Sequence, residues 1–220
     1  MDLIEGIETR RSIRAFKNTP IAEETLKEIL KAAGNSPSYT NTQPWEVALV
    51  CGVKKEALRK IIYDLAEKKA EAHPDLPSPK GWQPEHVARS ENHGARRLAA
   101  LGVERNDEAG REKLRLMNFE FYGAPCAIFL FMDGSLNEWS VFDMGLFTQS
   151  LILSAHSFGV ESCLQASVTN YAPEIKKFLG IPESKKLVIC ISLGYPDNEA
   201  KLNTYRAIKQ KPKEFTKWYR

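Results

Sequence analysis

The chain has 220 residues, of which 43% are hydrophobic and 27% are charged. This composition predicts one globular domain over residues 1–220 with a substantial core. The 31 basic and 28 acidic residues leave a net charge of +3, and their even spread disfavours nucleic acid or an anionic membrane as a partner. The N-terminus is unlike a secretory signal, and no apolar run approaches the roughly 18 residues of a membrane span. We therefore expect a cytoplasmic protein.

Apolar spacing and glycine or proline breaks predict the elements of the first half. A short opening helix carries Leu3, Ile4 and Ile7. Further helices are predicted over 23–33, 54–69, 85–101 and 108–121, and a strand over 46–51. Between 74 and 84 four prolines forbid regular structure for about a dozen residues, a length typical of lids and binding loops.

The second half predicts the core of a mixed α+β domain. Residues 126–132 are continuously apolar, which implies a strand buried on both faces. The most apolar helix is predicted over 140–158 and should be central, with strands at 160–164 and 186–193 and a helix at 173–179. The chain then becomes polar, and its late aromatic residues Phe215, Trp218 and Tyr219 need an apolar cover that a partner subunit could provide.

Four cysteines, Cys51, Cys126, Cys163 and Cys190, lie far apart in the sequence. They form no C-x-x-C pair and no tight His/Cys cluster of the metal-binding kind. We expect reduced thiols that serve as small buried hydrophobes, and we predict no metal site.

Three arginines, Arg10, Arg11 and Arg14, surround Ser12 early in the chain. Such a segment suits a phosphomonoester, with its roughly −1.5 to −2 charge and strong acceptor oxygens. If the segment is extended, Arg10, Ser12 and Arg14 share one side and Arg11 takes the other. A solvated basic turn after a helix, favoured by the helix dipole, is the alternative.

Three later segments could complete a flavin site. Residues 36–45 form a polar loop stiffened by two prolines, whose hydroxyls and amides could line a flavin ring edge; an ordinary connection is the alternative. Residues 158–167 read as a strand followed by a small-residue turn, where a backbone N–H could bond flavin N5. Arg206 and Lys209 could close on the same phosphate, although such residues are common in a polar tail.

The sequence offers aromatic walls but no catalytic side chain. Trp82, Phe119, Tyr122 and Trp139 could stack on aromatic acceptors, although core or interface packing is the more common role. Dinucleotide-binding, phosphate-loop and nucleophile-elbow motifs are missing. No obvious nucleophile, acid–base pair or metal cluster is present, which favours an enzyme that takes its chemistry from a cofactor.

Taken in order, these segments resemble the FMN-dependent nitroreductase family over nearly the whole chain. The matching segments are 10–14, 36–45, 121–125, 143–145 with Gln149, 159–166, 194–196, and Asn203 followed by Arg206. The proline-rich segment around Trp82 and the 102–103 connection are similar to the branch that includes nitrobenzoate reductases.

The resemblance implies an α/β sandwich with a mixed central sheet flanked by helices, in an intertwined homodimer. Two FMN sites would lie at the subunit interface, and residues 196–220 would form an arm over the partner. The cofactor-binding residues implied are Arg10, Arg11, Ser12, Arg14, Pro37, Ser38, Tyr39, Asn41, Leu164, Gln165, Ala166, Arg206 and Lys209. The substrate-pocket candidates are Tyr39, Trp82, Phe119 and Trp139.

The expected activity is that of an FMN-dependent oxidoreductase. It would pass electrons by a ping-pong mechanism from NADH or NADPH to nitroaromatic, quinone or similar acceptors. The alternatives are reductive dehalogenation or another flavin reaction on the same fold, or a non-catalytic flavin-binding protein. Two departures from the family pattern are Lys209, a point charge where arginine is frequent, and Tyr39, which could narrow the substrate channel.

Overall fold

The computed structural model describes residues 2–220. Its helices are α1 (Leu3–Thr9), α2 (Glu23–Ala33), α3 (Gly52–Glu67), α4 (Pro84–Leu101), α5 (Glu108–Leu116), α6 (Glu138–Ser157), α7 (Ala172–Leu179) and α8 (Pro212–Phe215). Its strands are β1 (Glu46–Cys51), β2 (Cys126–Asp133), β3 (Glu161–Gln165) and β4 (Lys185–Gly194). The predicted elements are confirmed with small shifts of their ends. The largest difference is at α5, which ends at Leu116 and not at 121; Phe121 and Tyr122 adopt positive φ in a tight turn and do not belong to the helix.

The strands form one sheet in the order β1-β2-β4-β3, with antiparallel neighbours throughout. The α+β class is confirmed. The parallel component of the expected mixed sheet is, within residues 2–220, a single bridge between Ser12 and Ser162 at the outer edge of β3. The N-terminal segment therefore lies beside the edge strand β3, paired with it through this one bridge.

Both faces of the sheet are covered, which confirms the prediction for β2. Ile128 and Leu130 point to the layer that contains α2 and α6, whereas Phe129 and Phe131 point to the layer that contains α3 and α7. Successive side chains of a strand point to opposite faces, so a strand between two apolar layers is apolar throughout. The sheet is thus the middle layer of a sandwich.

The expectation of four reduced cysteines is wrong for one pair. Cys51 and Cys126 are joined by a disulfide between directly opposed positions of β1 and β2, with a Cα–Cα distance of 4.5 Å. Cys163 and Cys190 are buried free thiols, as expected. Strand pairing brought the first two together, and no spacing within the sequence signals that pairing.

Large apolar side chains remain exposed on the described chain. Phe215, Trp218 and Tyr219 are 67%, 80% and 88% exposed, and Trp139 and Phe142 of α6 are also open to solvent. Within residues 2–220 no helix has the length and apolar character needed to cross a bilayer. The cytoplasmic location stays a prediction.

The N-terminal segment passes very close to the end of β4 at Gly194. The backbone N–H of Lys17 donates to the carbonyl of Tyr195 at 2.9 Å. A Cβ on Gly194 would lie 2.7 Å from Cδ of Pro125 and 2.9 Å from Cδ1 of Phe16. Only glycine leaves room here for the side chains of Phe16 and Pro125.

We expect Gly194→Ala to lower the free energy of unfolding by about 1–3 kcal/mol, because Phe16 and Pro125 must move. Urea denaturation measures the change as a lower midpoint at unchanged slope. Gly34→Ala is the control, since its Cβ would meet nothing nearer than 3.4 Å. Equal midpoints for the two variants would contradict the close approach.

Candidate active site

Basic residues from both ends of the chain line one pocket of about 600 Å³. The predicted residues brought together there are Arg10, Arg11, Ser12, Arg14, Arg206 and Lys209. Glu8 is the only acidic residue lining the pocket in the described part of the chain. The early and late cations therefore face the same space.

The side-chain amide of Asn203 joins the two ends of the chain at this pocket. Its Oδ1 accepts the backbone N–H of Arg14 at 2.7 Å, and its Nδ2 donates to the carbonyls of Ala15 and Asp197, both at 2.8 Å. Asn203 is 3% exposed. A buried amide that uses both its acceptor and its donors fixes the backbone on either side, so Arg206, three residues later, enters the pocket beside Arg14.

The early basic segment is extended where it meets β3. The backbone N–H of Ile13 donates to the carbonyl of Ser162 at 2.9 Å, and the Ile13 side chain is buried. Ser12 and Arg14, on either side of it, line the pocket, as alternation predicts. Arg11 also lines the pocket. The family resemblance implied this, whereas alternation placed Arg11 on the other side; the bridge to β3 begins only at Ser12.

Helix α4 contributes one lining residue that the sequence analysis missed, His93, and a nearby cation, Arg97, that does not itself line the pocket. His93 lines the pocket, and its Nδ1 is 3.0 Å from the hydroxyl of Tyr205, whose ring centroid is 5.4 Å from that of the imidazole. Arg97 lies one turn further along α4. Burial, with the charges of Arg14, Arg97 and Lys209, holds the pKa of His93 below its ordinary value.

The donor set fits a phosphate monoester. Nε of Arg10 and Nη2 of Arg97 are buried and have no hydrogen-bond partner among residues 2–220. Buried charged donors without partners are costly, and clustered cations repel each other. A dianionic group with several acceptor oxygens removes both costs.

At the end of β3, the side chain of Gln165 is buried and hydrogen-bonded within the protein. Nε2 of Gln165 donates to the carbonyl of Asn118 at 2.6 Å, and its Oε1 accepts from the hydroxyl of Ser192. Gln165 is 1% exposed, whereas Leu164 and Ala166 are exposed. The side chain of Gln165 is therefore not available to a ligand. The exposed residues Leu164 and Ala166, and the backbone of this segment, are what a ligand could contact.

The thiol nearest this site is not activated. Burial raises the pKa of Cys163, although the charges of Arg14 and Arg97 act in the opposite direction. A thiol with a raised pKa stays protonated at neutral pH and is a poor nucleophile.

The polar loop lies elsewhere on the same chain. Both carboxylate oxygens of the buried Asp143 on α6 lie 3.1 Å from the backbone nitrogen of Tyr39, which donates to them. Thr40, Asn41 and Gln43 adopt φ of 47°, 60° and 48°, conformations that persist only where the surroundings fix them. Within the described residues, seven of the predicted flavin contacts do not line the basic pocket of their own chain: Pro37, Ser38, Tyr39, Asn41, Leu164, Gln165 and Ala166.

The predicted aromatic residues fall into different environments. Trp82 is 51% exposed and lines a shallow cavity of about 560 Å³, which meets the basic pocket at His93. Tyr39 and Trp139 are exposed and stack at 5.7 Å. Phe119 is 2% exposed and packs against Tyr171 in the core, which supports the packing role that the sequence left open.

Comparisons with known proteins agree with this geometry. Residues 7–195 match the model of the nitroreductase family. The chain is 34% identical to a 4-nitrobenzoate reductase of Pseudomonas putida, over 96% of this chain and 92% of that protein. It superposes with a TM-score of 0.93 and 33% identity on the FMN-dependent nitroreductase NfnB from Mycobacterium smegmatis in complex with NADPH, covering 99% and 97% of the two chains. The superposition on an FMN- and NADPH-dependent nitroreductase NfnB from sphigopyxis sp. strain HMH has a TM-score of 0.95 at 27% identity. It covers 100% of this chain and 99% of that one.

The fold and these relatives define an α+β oxidoreductase, and the donors of its basic pocket fit a phosphate monoester. The family model matches most of the chain, and the curated relative from Pseudomonas putida is 34% identical, which together identify the family. The chain belongs to the nitroreductase family.

We expect the His93 ring to titrate below the ordinary value of 6.5 in the protein freed of bound anions. Adding inorganic phosphate should raise this pKa, because the anion offsets the charges of Arg14 and Lys209. Proton–nitrogen spectra of the imidazoles follow the titration, and His93→Gln identifies the resonance. A midpoint that phosphate does not move would contradict an anion site at these cations.

Proposed function

We propose that the chain is an FMN-dependent NAD(P)H nitroreductase that works as a homodimer. The observation that carries the proposal is the convergence of cations from the two ends of the chain on one pocket, where the buried Nε of Arg10 has no partner among the described residues. Similarity to an NADPH-bound, FMN-dependent relative supports the choice of FMN as the phosphorylated cofactor.

The early segment, residues 10–14, and the late residue Arg206 contact the phosphate from two sides. Arg10, Ser12 and Arg14 hold phosphate and ribityl oxygens from one side, with Arg11 assisting, and Arg206 closes from the other. Lys209 adds a point charge without a planar fork. Charge-assisted hydrogen bonds of this kind are the stronger ones in proteins.

The ring end of the site uses backbone from β3 and a loop from a second copy. Leu164, Gln165 and Ala166 lie along the ring near N5, offering backbone donors because the Gln165 side chain is committed to internal contacts. In the proposed homodimer, the loop that begins at Pro37 and contains Ser38, Tyr39 and Asn41 reaches the flavin of the other subunit. Its position outside its own basic pocket supports this.

The exposed apolar residues support the same assembly. Trp139 and Phe142 are 60% and 61% exposed on α6, and Trp218 is 80% exposed near the chain end. Several exposed large apolar side chains favour burial against a partner protein, and a two-fold dimer is the commonest such assembly. Residues 196–220 form the arm that extends over the partner.

The isoalloxazine ring of bound FMN supplies the two-electron redox chemistry. The protein positions the substrates and places positive charge and backbone N–H donors where the reduced ring is negative. Removing one such donor should cost about 3 kcal/mol, as at other anion-stabilising sites. No general base is required. Donor and acceptor occupy the same ring face in turn, the basis of a ping-pong mechanism.

Nitroaromatic compounds are the proposed acceptors, with quinones and similar compounds as further ones. The similarity to a 4-nitrobenzoate reductase favours nitro reduction over dehalogenation. The exposed rings of Tyr39, Trp82 and Trp139 are available for stacking on flat acceptors.

Anaerobic mixing of the purified yellow protein with NADPH or NADH tests the proposal. We expect flavin absorbance to bleach and to return when 4-nitrobenzoate is added, with reduced nitro products. A panel with a quinone and a halophenol separates the acceptor classes. Failure to bind FMN would reject the proposal; bound FMN that neither nucleotide reduces would indicate a non-catalytic flavin protein, and preference for the halophenol a dehalogenase.

We expect Arg206→Ala to raise the Kd for FMN about ten- to a hundredfold, because a charge-assisted hydrogen bond contributes about 1.5–3 kcal/mol. Equilibrium fluorescence titration of the full chain measures the change. Arg59→Ala is the matched control, since it removes the same charge from a surface pair with Glu56. Equal FMN retention by the two variants would count against the phosphate assignment.

A further inference from the structure

Three side chains on three elements form a hydrogen-bonded chain beside the basic pocket. Thr9 ends α1, His156 lies in the last turn of α6, and Glu161 begins β3. His156 Nε2 is 2.9 Å from Thr9 Oγ1, and His156 Nδ1 is 2.7 Å from Glu161 Oε1. The His156 and Glu161 side chains are each only 14% exposed, so water competes little for these contacts. We call this set the Thr9–His156–Glu161 relay.

The hydrogens of the relay follow from its acceptors. The Thr9 hydroxyl is also 2.7 Å from the carbonyl of Glu5. A carbonyl only accepts, so the single hydroxyl hydrogen goes to Glu5, and His156 Nε2 must donate to Thr9 Oγ1. A second hydrogen then lies between His156 Nδ1 and Glu161. Every contact is satisfied at once only with this arrangement.

The same assignment excludes a hydrolytic role. A hydroxyl, an imidazole and a carboxylate in this order resemble a catalytic triad. A nucleophile, however, donates its hydrogen to the imidazole, whereas the Thr9 hydroxyl donates to the backbone of Glu5. The relay is therefore built to hold Thr9 in place.

Thr9 directly precedes the residues that line the pocket. Arg10 is the next residue, and its buried Nε has no partner in the described part of the chain, so no hydrogen bond of that atom sets its direction. Ser12 is fixed by its bridge to Ser162, which follows Glu161 on β3. The relay and the bridge thus fasten the Thr9-to-Ser12 segment at both ends to the start of one strand.

We propose that His156 is a positioning residue for the phosphate end of the FMN site. With Glu161 behind it, His156 fixes the end of α1 and so the direction in which Arg10 enters the pocket. The inference rests on the proposed function. Its consequence is selective: the relay supports binding of the phosphate and leaves binding of the ring unchanged.

A comparison of FMN with riboflavin, which has the same ring and no phosphate, tests this role. Fluorescence titrations of the full-length protein, freed of flavin by dialysis, give both dissociation constants. The variants are Thr9→Val, which keeps the shape and removes the hydroxyl, and His156→Leu. Ser157→Ala is the control: its hydroxyl donates to the carbonyl of Ser154 on the exposed side of the same helix end.

We expect Thr9→Val and His156→Leu to raise the Kd for FMN about tenfold, as for loss of a shielded hydrogen bond, with the riboflavin Kd unchanged. Glu161→Gln should retain FMN binding, because its amide can donate to Nδ1 while Nε2 still donates to Thr9. Ser157→Ala should leave both constants unchanged.

Two outcomes would overturn the inference while leaving the proposed function intact. Equal losses of FMN and riboflavin affinity would indicate general destabilisation, and unchanged FMN affinity in Thr9→Val and His156→Leu would show that the relay does not act on the phosphate. If the unmodified protein binds neither flavin, the proposed function itself fails.

Discussion

The basic pocket depends on the hydrogen bonds of one buried amide. Asn203 accepts the backbone N–H of Arg14 and donates to the carbonyls of Ala15 and Asp197, so segments from opposite ends of the chain run side by side. The backbone N–H of Asp197 also donates to the carbonyl of Ala15, at 3.1 Å, and that of Lys17 donates to the carbonyl of Tyr195. Together these bonds hold the early and late cations in one pocket although like charges repel. Arg206 follows Asn203 closely enough to be carried into place with it. A neutral side chain, helped by these backbone contacts, therefore sets where several charged side chains meet.

The clustered cations of the basic pocket raise the free energy of the folded protein, and a bound phosphate removes this repulsion. Arg10 and Arg97 each hold a buried nitrogen without a partner among residues 2–220, and the surrounding charges and burial depress the pKa of His93. Such a site is least stable when empty, and a ligand that binds only the folded state stabilises it by mass action. In the proposed function, FMN is thus part of the folded protein's stability as well as the source of its chemistry, which explains why the chain needs no catalytic side chain of its own.

Local patterns in the sequence determine much of this fold, and tertiary pairing determines the rest. The spacing in α2 and the continuous apolar run of β2 set their own type and length. The cations at 10–14 are recognisable as a charge cluster, whereas Arg206 is one basic residue of a polar tail and is singled out only by the family resemblance. Nothing local indicates that Cys51 opposes Cys126, that the Gln165 side chain turns inward, or that His93 reaches the pocket from α4. Those facts follow from how distant elements pack, and a single sequence does not display that packing.

The central claim is that cations from both ends of the chain hold the phosphate of FMN as a dianion. Phosphorus NMR of the FMN-loaded protein between about pH 8 and pH 5 tests it directly, because a free phosphomonoester takes up its second proton near about pH 6. Surrounding arginines lower that pKa, so the account requires a bound resonance whose position stays constant across the range. A resonance that titrates near pH 6, as it does for free FMN, would contradict the account.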